Sequence, residues 1–124
     1  MSAANTLIAD NDGGDVIATG PVTVAGGYNL VRSWDPATVT LPADTLTADP
    51  RLQPLAVNGG WYTLTHALPA DSPARDAGLS TLLPAGLIHD QRGWPFLRVD
   101  GEVDIGAFEY SDTLFASNFQ PFVL

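Results

Sequence analysis

The chain has 124 residues, of which 45% are apolar, and this length and composition fit one domain with a buried core. Twelve Gly and ten Pro residues exclude long helices and favour short strands joined by tight turns. The net charge of -9 disfavours nucleic acid and anionic membrane surfaces as partners, and the absence of cysteine excludes disulfide frameworks and thiolate metal sites.

The sequence contains no recognisable membrane span or leader peptide. No apolar run approaches the roughly 20 residues of a membrane-spanning helix. Residues 1–6 lack the basic segment and the apolar stretch of a signal peptide. The chain is therefore expected to be cytoplasmic, or else a piece of a longer protein in which Met1 is an artificial start.

Residues 5–31 contain short β-like runs separated by turn signals. The runs are 6–9, 16–18, 22–24 and 28–31, and the turns are 10–15, Gly20-Pro21 and Gly26-Gly27. Strands this short with turns this frequent fit a stack of small coils, or rungs, better than a two-sheet sandwich. Asn29 lies among apolar neighbours, where we expect a buried amide that hydrogen-bonds the backbone of its rung.

The rest of the chain has weaker strand signals. Predicted strands occupy 39–41, 61–65 and, from the alternation of apolar residues, 103–110. Pro50 and Pro54 exclude a helix between them, and residues 74–78 have the length of one helical turn ending on Gly78. The tail, residues 113–124, is rich in aromatic residues. We find no linker and no second domain.

Five blocks of the sequence, in their order along the chain, resemble one bacterial family. The blocks are 48–60, 64–68, 71–78, 90–93 and 104–109, the last reading Asp-Ile-Gly-Ala-Phe-Glu. They resemble the C-terminal region of choice-of-anchor Q proteins, which are secreted or cell-surface chains with a pectate-lyase-like parallel β-helix. Residues 5–9 and 27–31 look like the last rungs before that region, so the resemblance covers nearly the whole chain.

The chain departs from the family pattern at three points. Arg75 stands where an aliphatic residue is favoured, Trp61-Tyr62 replaces the commoner proline after a glycine pair, and the rungs have no cysteine. The final residues 114–120 are also similar to a short aromatic tail that ends some bacterial secreted proteins.

The resemblance implies an all-β fold, a short right-handed parallel β-helix of two or three rungs with an irregular C-terminal capping section. One domain, 1–124, would divide into rungs over 1–47 and a capping section over 48–124 that folds over the end of the stack. It also implies a secreted or cell-surface location, with the leader peptide outside this chain. An uncovered rung exposes apolar surface and strand edges. We therefore expect residues 5–31 to stack on upstream rungs or on another copy of the chain.

Asp10, Asp12 and Asp15 lie in one glycine-rich loop and are weak candidates for a calcium site, since calcium prefers several oxygen ligands from one tight turn. The EF-hand pattern fails because Pro21 occupies the position of its bidentate glutamate. The alternative is an ordinary turn in which Asp and Asn side chains cap the backbone. Apart from calcium we expect no cofactor.

Charged residues and histidines gather in the blocks that carry the resemblance. They are Asp76, His89, Asp90, Arg92, Asp104 and Glu109. Paired carboxylates could serve glycoside hydrolysis, and Asp with Arg could serve a lyase. Alternatively, these residues pair across turns and cap backbone N–H groups, and we predict this structural role and no catalytic residue. His66 and His89 lack the close spacing of a metal pair and are expected to be lone hydrogen-bonding side chains.

Trp61, Tyr62 and Trp94 are candidate glycan contacts, because flat aromatic rings stack on sugar faces. The alternative is that they pack in the core or the cap. We expect a non-catalytic terminal module of a secreted or cell-surface protein that contributes to adhesion or stability. A polysaccharide-binding module is the first alternative, and a fragment of a polysaccharide lyase or hydrolase is the second.

Overall fold

The structure is a computed structural model that describes residues 1–60 and 62–111. Its regular elements are eight short strands and one 3-10 turn, and no α-helix occurs within these two ranges. They are β1 (Ser2–Ala4), β2 (Leu7–Ile8), β3 (Val22–Thr23), β4 (Ala25–Gly27), β5 (Leu30–Val31), β6 (Val39–Thr40), β7 (Ala56–Val57), β8 (Leu64–Thr65) and the 3-10 turn Ser80–Leu82. The all-β prediction is confirmed at the level of fold class.

All strand pairs in residues 1–47, called here the N-terminal region, are parallel. β1 pairs with β4, β2 with β5 and β3 with β6. Isolated parallel bridges join Val16 to Trp34 and Leu30 to Leu46. Paired residues lie 23 positions apart in the first two pairs (2 and 25, 7 and 30) and 17 apart in the third (22 and 39). The chain therefore returns to the same side of the molecule before each new strand is added.

Residues 48–111, called here the closing section, contain little regular structure. β7 and β8 form an antiparallel hairpin, and a second, irregular hairpin is marked by the bridge between His89 and Leu97. The rest consists of turns and extended segments. Within residues 1–60 and 62–111 there is no helix that could serve as a membrane span.

The strand predicted over 103–110 is wrong. The segment contains no strand, although Val103, Asp104 and Ile105 are all buried. Gly106 adopts a φ of 110°, which breaks an extended run. The backbone N–H groups of Asp104 and Tyr110 donate to carboxylates instead of to a neighbouring strand. Side chains here accept the hydrogen bonds that a neighbouring strand would otherwise accept.

The turn predicted at Gly26-Gly27 is also wrong, because these residues belong to β4. Gly26 has a φ of 101°, and a Cβ on it would lie 1.9 Å from the carbonyl oxygen of Ala3 in β1. Glycine is needed here for the close approach of two parallel strands. A turn forms at residues 73–76 instead of the predicted helical turn over 74–78, and its left-handed residue is Asp76, with a φ of 54°, and not Gly78.

Two faces of the N-terminal region are buried in different ways. Leu7, Leu30 and Leu46 pair in register, and this leucine ladder packs against Leu68 and Ile105 of the closing section. Successive side chains of a strand point to opposite faces, so Val31 points away from that contact. Val31 lines a common interior with Ile8, Val16 and Val24.

The closing section therefore meets the N-terminal region along the side that carries the leucine ladder. The capping interpretation predicts that the closing section lies over the end of the paired strands, and at this contact it lies beside them instead.

Candidate functional site

Asn5 joins the two regions. Its backbone N–H donates to the Gly27 carbonyl (3.3 Å) inside the N-terminal region, and its own carbonyl accepts from the Gly106 N–H (2.9 Å). Its side-chain amide makes a two-way bond with Leu79, accepting from N–H at 2.8 Å and donating to C=O at 2.9 Å. The residue adopts a φ of 49°, a conformation that Asn tolerates better than most residues. Asn5 thus fixes two segments of the closing section next to β1 and β2, the segment of Leu79 through its side chain and the segment of Gly106 through its backbone carbonyl.

Asn29 has the structural role predicted for it. The side chain is 2% exposed, its oxygen accepts from the Thr6 N–H at 3.0 Å and its nitrogen donates to the Ala3 carbonyl at 2.9 Å. Thr6 lies in the bend between β1 and β2 and Ala3 lies in β1, and their N–H and carbonyl groups need a partner once they are buried. The amide supplies the missing hydrogen bonds.

Five charged side chains form a buried charge cluster at the centre of the closing section: Asp90, Arg92, Arg98, Asp104 and Glu109. Within it Arg92 binds Asp90 through Nη2 at 2.6 Å and donates to the carbonyls of Asn58 and Glu109. Its guanidinium lies between the rings of Phe96 and Phe108, 3.8 and 3.9 Å from their centroids. Stacking and hydrogen bonding together hold this cation away from water.

Arg98 and Glu109 form the second ion pair of the charge cluster. Nη1 of Arg98 lies 2.8 Å from Oε2 of Glu109, and the two side chains are 6% and 1% exposed. Nη2 of Arg98 donates to the carbonyls of Asp104 and Gly106. Glu109 also accepts from the N–H groups of Asp100 and Asp104. The pair therefore ties the segment around Gly106 to the hairpin that carries Arg98.

Burial changes the acidity of two of these carboxylates. Loss of hydration raises the pKa of Glu109 to about 7, and the nearby Asp104 adds to the rise against the opposing effect of Arg98 and the backbone donors. Burial also raises the pKa of Asp104, against the hydrogen bonds from the N–H groups of Asp76 and Tyr110. The charge cluster therefore favours protonated carboxyl groups more than water does.

The charge cluster brings together four of the residues that the sequence marks as a possible acid–base group. Asp90, Arg92, Asp104 and Glu109 are connected, and Asp76 adds its backbone N–H to Asp104. His89 instead pairs with Leu97 on the second hairpin, and His66 binds the Gln53 carbonyl at 2.8 Å. An acid–base catalyst must reach its substrate. The carboxylates here are at most 6% exposed and are bonded to the protein's own donors.

Sequence reasoning misses Arg98 and Asn5, two residues on which this arrangement depends. Arg98 lies outside the blocks that carry the family resemblance. Three buried carboxylates beside one arginine would be a costly imbalance, so charge matching was the signal that could have suggested a second arginine. Asn5 stands at the start of a predicted rung, and nothing local distinguishes it from a turn residue. Arg75, at the position where the family favours an aliphatic residue, stacks on Tyr110 at 4.4 Å.

The calcium candidates do not converge on one point. Asp10 pairs with Arg32 at 3.1 Å. Asp15 accepts hydrogen bonds from Asn11 and Ser33. Burial raises the pKa of Asp15, but these hydrogen bonds together outweigh burial and lower the pKa below its ordinary value. Among the described residues no group of three or more His, Asp or Glu side chains could hold a metal ion. The loop has the bonding of a capped turn.

The exposed aromatic candidates sit at the tips of the two hairpins. Tyr62 is 98% exposed and Trp94 is 65% exposed, while Trp61 lies outside the described residues. The tips are neighbours, because a Cβ on Gly59 would lie 2.4 Å from the Phe96 ring and Arg92 binds the Asn58 carbonyl. The core-packing alternative does not describe Tyr62 and Trp94. The aromatic tail, residues 113–124, also lies outside the described residues.

Comparison with protein-family models, with curated proteins and with solved structures finds no match for this chain.

Proposed function

We propose that the chain is a non-catalytic structural module at the C-terminal end of a secreted or cell-surface protein with a right-handed parallel β-helix. In this proposal the N-terminal region provides the last rungs and the closing section seals them along one side. The module stabilises the parent protein at the bacterial surface and contributes to adhesion. The parallel pairing of β1 to β6 and the sequence blocks of the closing section support this interpretation.

The main support for the proposal is that the side chains of β2 are less buried than those of β5, the strand with which β2 pairs. Leu30 and Val31 in β5 are 0% and 3% exposed, whereas their partners Leu7 and Ile8 in β2 are only half-buried. β1 and β2 each pair on one side within the described residues. Apolar residues such as the interior Ile8 that stay partly exposed beside an unpaired strand edge are expected at the open end of a stack.

The partner that fits this end is another rung, supplied by upstream sequence or by a second copy. Parallel strands need a neighbour that presents its own N–H and C=O groups in register. The acidic surface favours a partner that binds through backbone and apolar contacts, since the chain carries only five positive charges.

Sedimentation equilibrium over a wide range of concentrations tests the proposal with the chain itself as its partner. We expect self-association, and Ile8→Lys should abolish it by placing a charge at the open end. Val57→Lys is the matched control, because Val57 is 68% exposed on the β7–β8 hairpin. Melting curves check that both variants fold. A folded wild-type monomer at every concentration, or loss of association in Val57→Lys alone, contradicts the proposal.

Polysaccharide binding is a second candidate function, favoured by the exposure of Tyr62 and Trp94 on neighbouring hairpin tips. The net charge of -9 selects neutral glycans over anionic ones. Affinity electrophoresis in gels containing a neutral polysaccharide tests it: retardation should disappear in Tyr62→Ala and Trp94→Ala. Tyr28→Ala is the control, since Tyr28 is 38% exposed in the N-terminal region. Equal mobility of all variants with and without polysaccharide excludes this function.

A lyase or hydrolase fragment receives less support. The carboxylates that could act as acid and base lie inside the charge cluster, paired with arginines and backbone N–H groups. Such pairing is typical of carboxylates that stabilise a fold.

A further inference from the structure

The unpaired edge of β2 presents both backbone groups of one residue, Leu7. On the opposite edge, the Thr6 carbonyl accepts from the N–H of Leu30 at 2.9 Å. The Ile8 carbonyl accepts from the N–H of Arg32 at 3.2 Å. Neighbouring residues of a strand direct their N–H and C=O groups to opposite edges. The N–H and C=O of Leu7 therefore point away from β5, to the side on which β2 has no partner strand within the described residues.

Two clefts lie beside Leu7 and leave room for a partner. One has a volume of about 410 Å³ and lies between β2 and the segments that carry His66 and Gln91. The other has a volume of about 360 Å³ and lies between the β1–β2 bend and the side chains of Leu82 and Leu87. Leu7 lines both clefts. An apolar cavity of about 150 Å³ is already large enough to bind benzene, so apolar side chains of a partner fit in either cleft.

The two clefts are free of acidic side chains, although the chain is strongly acidic. The sequence has 14 acidic residues and a net charge of -9, yet none of the described residues that line either cleft is Asp or Glu. The arginine that lines the second cleft, Arg98, is 5% exposed and bound to Glu109. Like charges repel, so an edge without acidic residues favours contact between two copies of the chain.

We propose that two copies of the chain join through β2, around a two-fold axis that passes between their Leu7 residues. Two residues directly opposite each other in an antiparallel pair can exchange both of their N–H···O=C bonds, so Leu7 is complementary to its own copy. The leucine ladder of Leu46, Leu30 and Leu7 then continues into the ladder of the second copy. This dimer depends on the open end that the proposed function requires, and it identifies a second copy as the partner at that end.

The size of the assembly distinguishes the two-fold pair from the addition of a parallel rung. An interface around a two-fold axis uses the same surface on both copies and is complete in the dimer. Head-to-tail stacking of parallel rungs uses two different surfaces and leaves a free end on every assembly, so growth continues. We therefore expect association of the wild-type chain to stop at two copies.

Sedimentation equilibrium of the wild-type chain over a wide range of concentrations measures this size without any substitution. A dimer that does not grow further supports the two-fold pair. Growth beyond the dimer that Ile8→Lys abolishes would refute the two-fold pair and leave the proposed function standing, since the open end would then bind a parallel rung. A monomer at every concentration would contradict both.

Disulfide cross-linking locates the axis, because the chain has no cysteine of its own. Opposite residues that exchange hydrogen bonds have Cα atoms about 5.5 Å apart, a separation that a disulfide can span. Leu7→Cys should therefore form a covalent dimer under mild oxidation. Ala9→Cys is the matched control, since Ala9 lies two residues further along the same strand edge. The two Ala9 residues of the dimer would be about 14 Å apart, too far for a disulfide.

Cross-linking of both variants to the same extent, or of Ala9→Cys alone, overturns the proposal. Melting curves check that both variants fold. If Leu7→Cys does not fold or does not cross-link, hydrogen exchange of the wild-type protein decides. The Leu7 amide should exchange about ten-fold more slowly in concentrated than in dilute solution, because it then donates to the second copy. The Leu30 amide, already bonded to Thr6, should not change. Equal behaviour of the two amides refutes the Leu7 pair.

Discussion

The N-terminal region and the closing section are held together by different forces. In the first, backbone hydrogen bonds between parallel strands combine with stacked aliphatic residues, and the buried polar groups are the amides of Asn5 and Asn29. In the second, few strands form and a network of buried charges links distant turns. A segment without regular strands thus satisfies its backbone groups through side chains.

Removal of an arginine from the charge cluster of the closing section should destabilise the protein most. Arg98→Met should destabilise the protein by about 4 kcal/mol, because it leaves Glu109 buried without its cation. Urea denaturation measures the loss. Arg51→Met, which breaks an exposed pair with Asp71, should cost under about 1 kcal/mol. Similar losses in the two variants would show that the charge cluster does not carry the closing section.

Removal of side-chain volume from the contact between the two regions should destabilise the protein somewhat less. Leu30 is fully buried, so Leu30→Ala should cost about 3 kcal/mol through lost contacts and the cavity left behind. Leu87 is 46% exposed on the closing section, and Leu87→Ala should change stability by about 0.5 kcal/mol at most. The same urea series ranks them. A Leu30 variant as stable as the Leu87 variant would mean that the leucine ladder is loosely packed.

Loss of the buried amide of Asn29 should have a smaller effect on stability, and unlike changes in the charge cluster this effect should not depend on pH. Asn29→Leu keeps the approximate volume but leaves the Thr6 N–H and the Ala3 carbonyl without partners, at a cost of about 2 kcal/mol. This loss should not vary with pH between 5 and 8, since no ionisable group is involved. Melting curves across that range check the point, and a pH-dependent loss would show that the two regions share one electrostatic network.

The smallest effect concerns the loop around Asp15. Addition of calcium should leave the melting temperature unchanged, because the Asp15 carboxylate already accepts bonds from Asn11 and Ser33. Asp15→Ala should cost about 1 kcal/mol, the usual value of a side-chain cap on a turn. Differential scanning calorimetry measures both. A calcium-dependent rise in melting temperature that disappears in Asp15→Ala would restore the metal site.

Local sequence signals predicted the structure correctly where the conformation that a segment prefers by itself was also the one that its tertiary contacts require. Short apolar runs near residues 7, 22, 30 and 39 became strands, and the amide of Asn29 became a backbone partner as expected. They failed where a distant partner changed the local preference. Gly26 belongs to a strand and not to a turn, and glycine is needed there because the carbonyl of Ala3 lies too close to leave room for a side chain. Residues 103–110 do not form the predicted strand, because the N–H groups of Asp104 and Tyr110 donate to carboxylates and not to a neighbouring strand.

Composition and short-range periodicity were enough to predict an all-β, turn-rich and acidic protein, since both depend only on neighbouring residues. Three features came from long-range packing instead: the closing section covers the leucine ladder, Asn5 joins the two halves, and Arg98 pairs with Glu109. Asn5 and Leu79 are 74 positions apart, and the pairing of such residues is settled by the packing of the whole chain. The burial that shifts the pKa of Glu109 likewise exists only once the chain has folded.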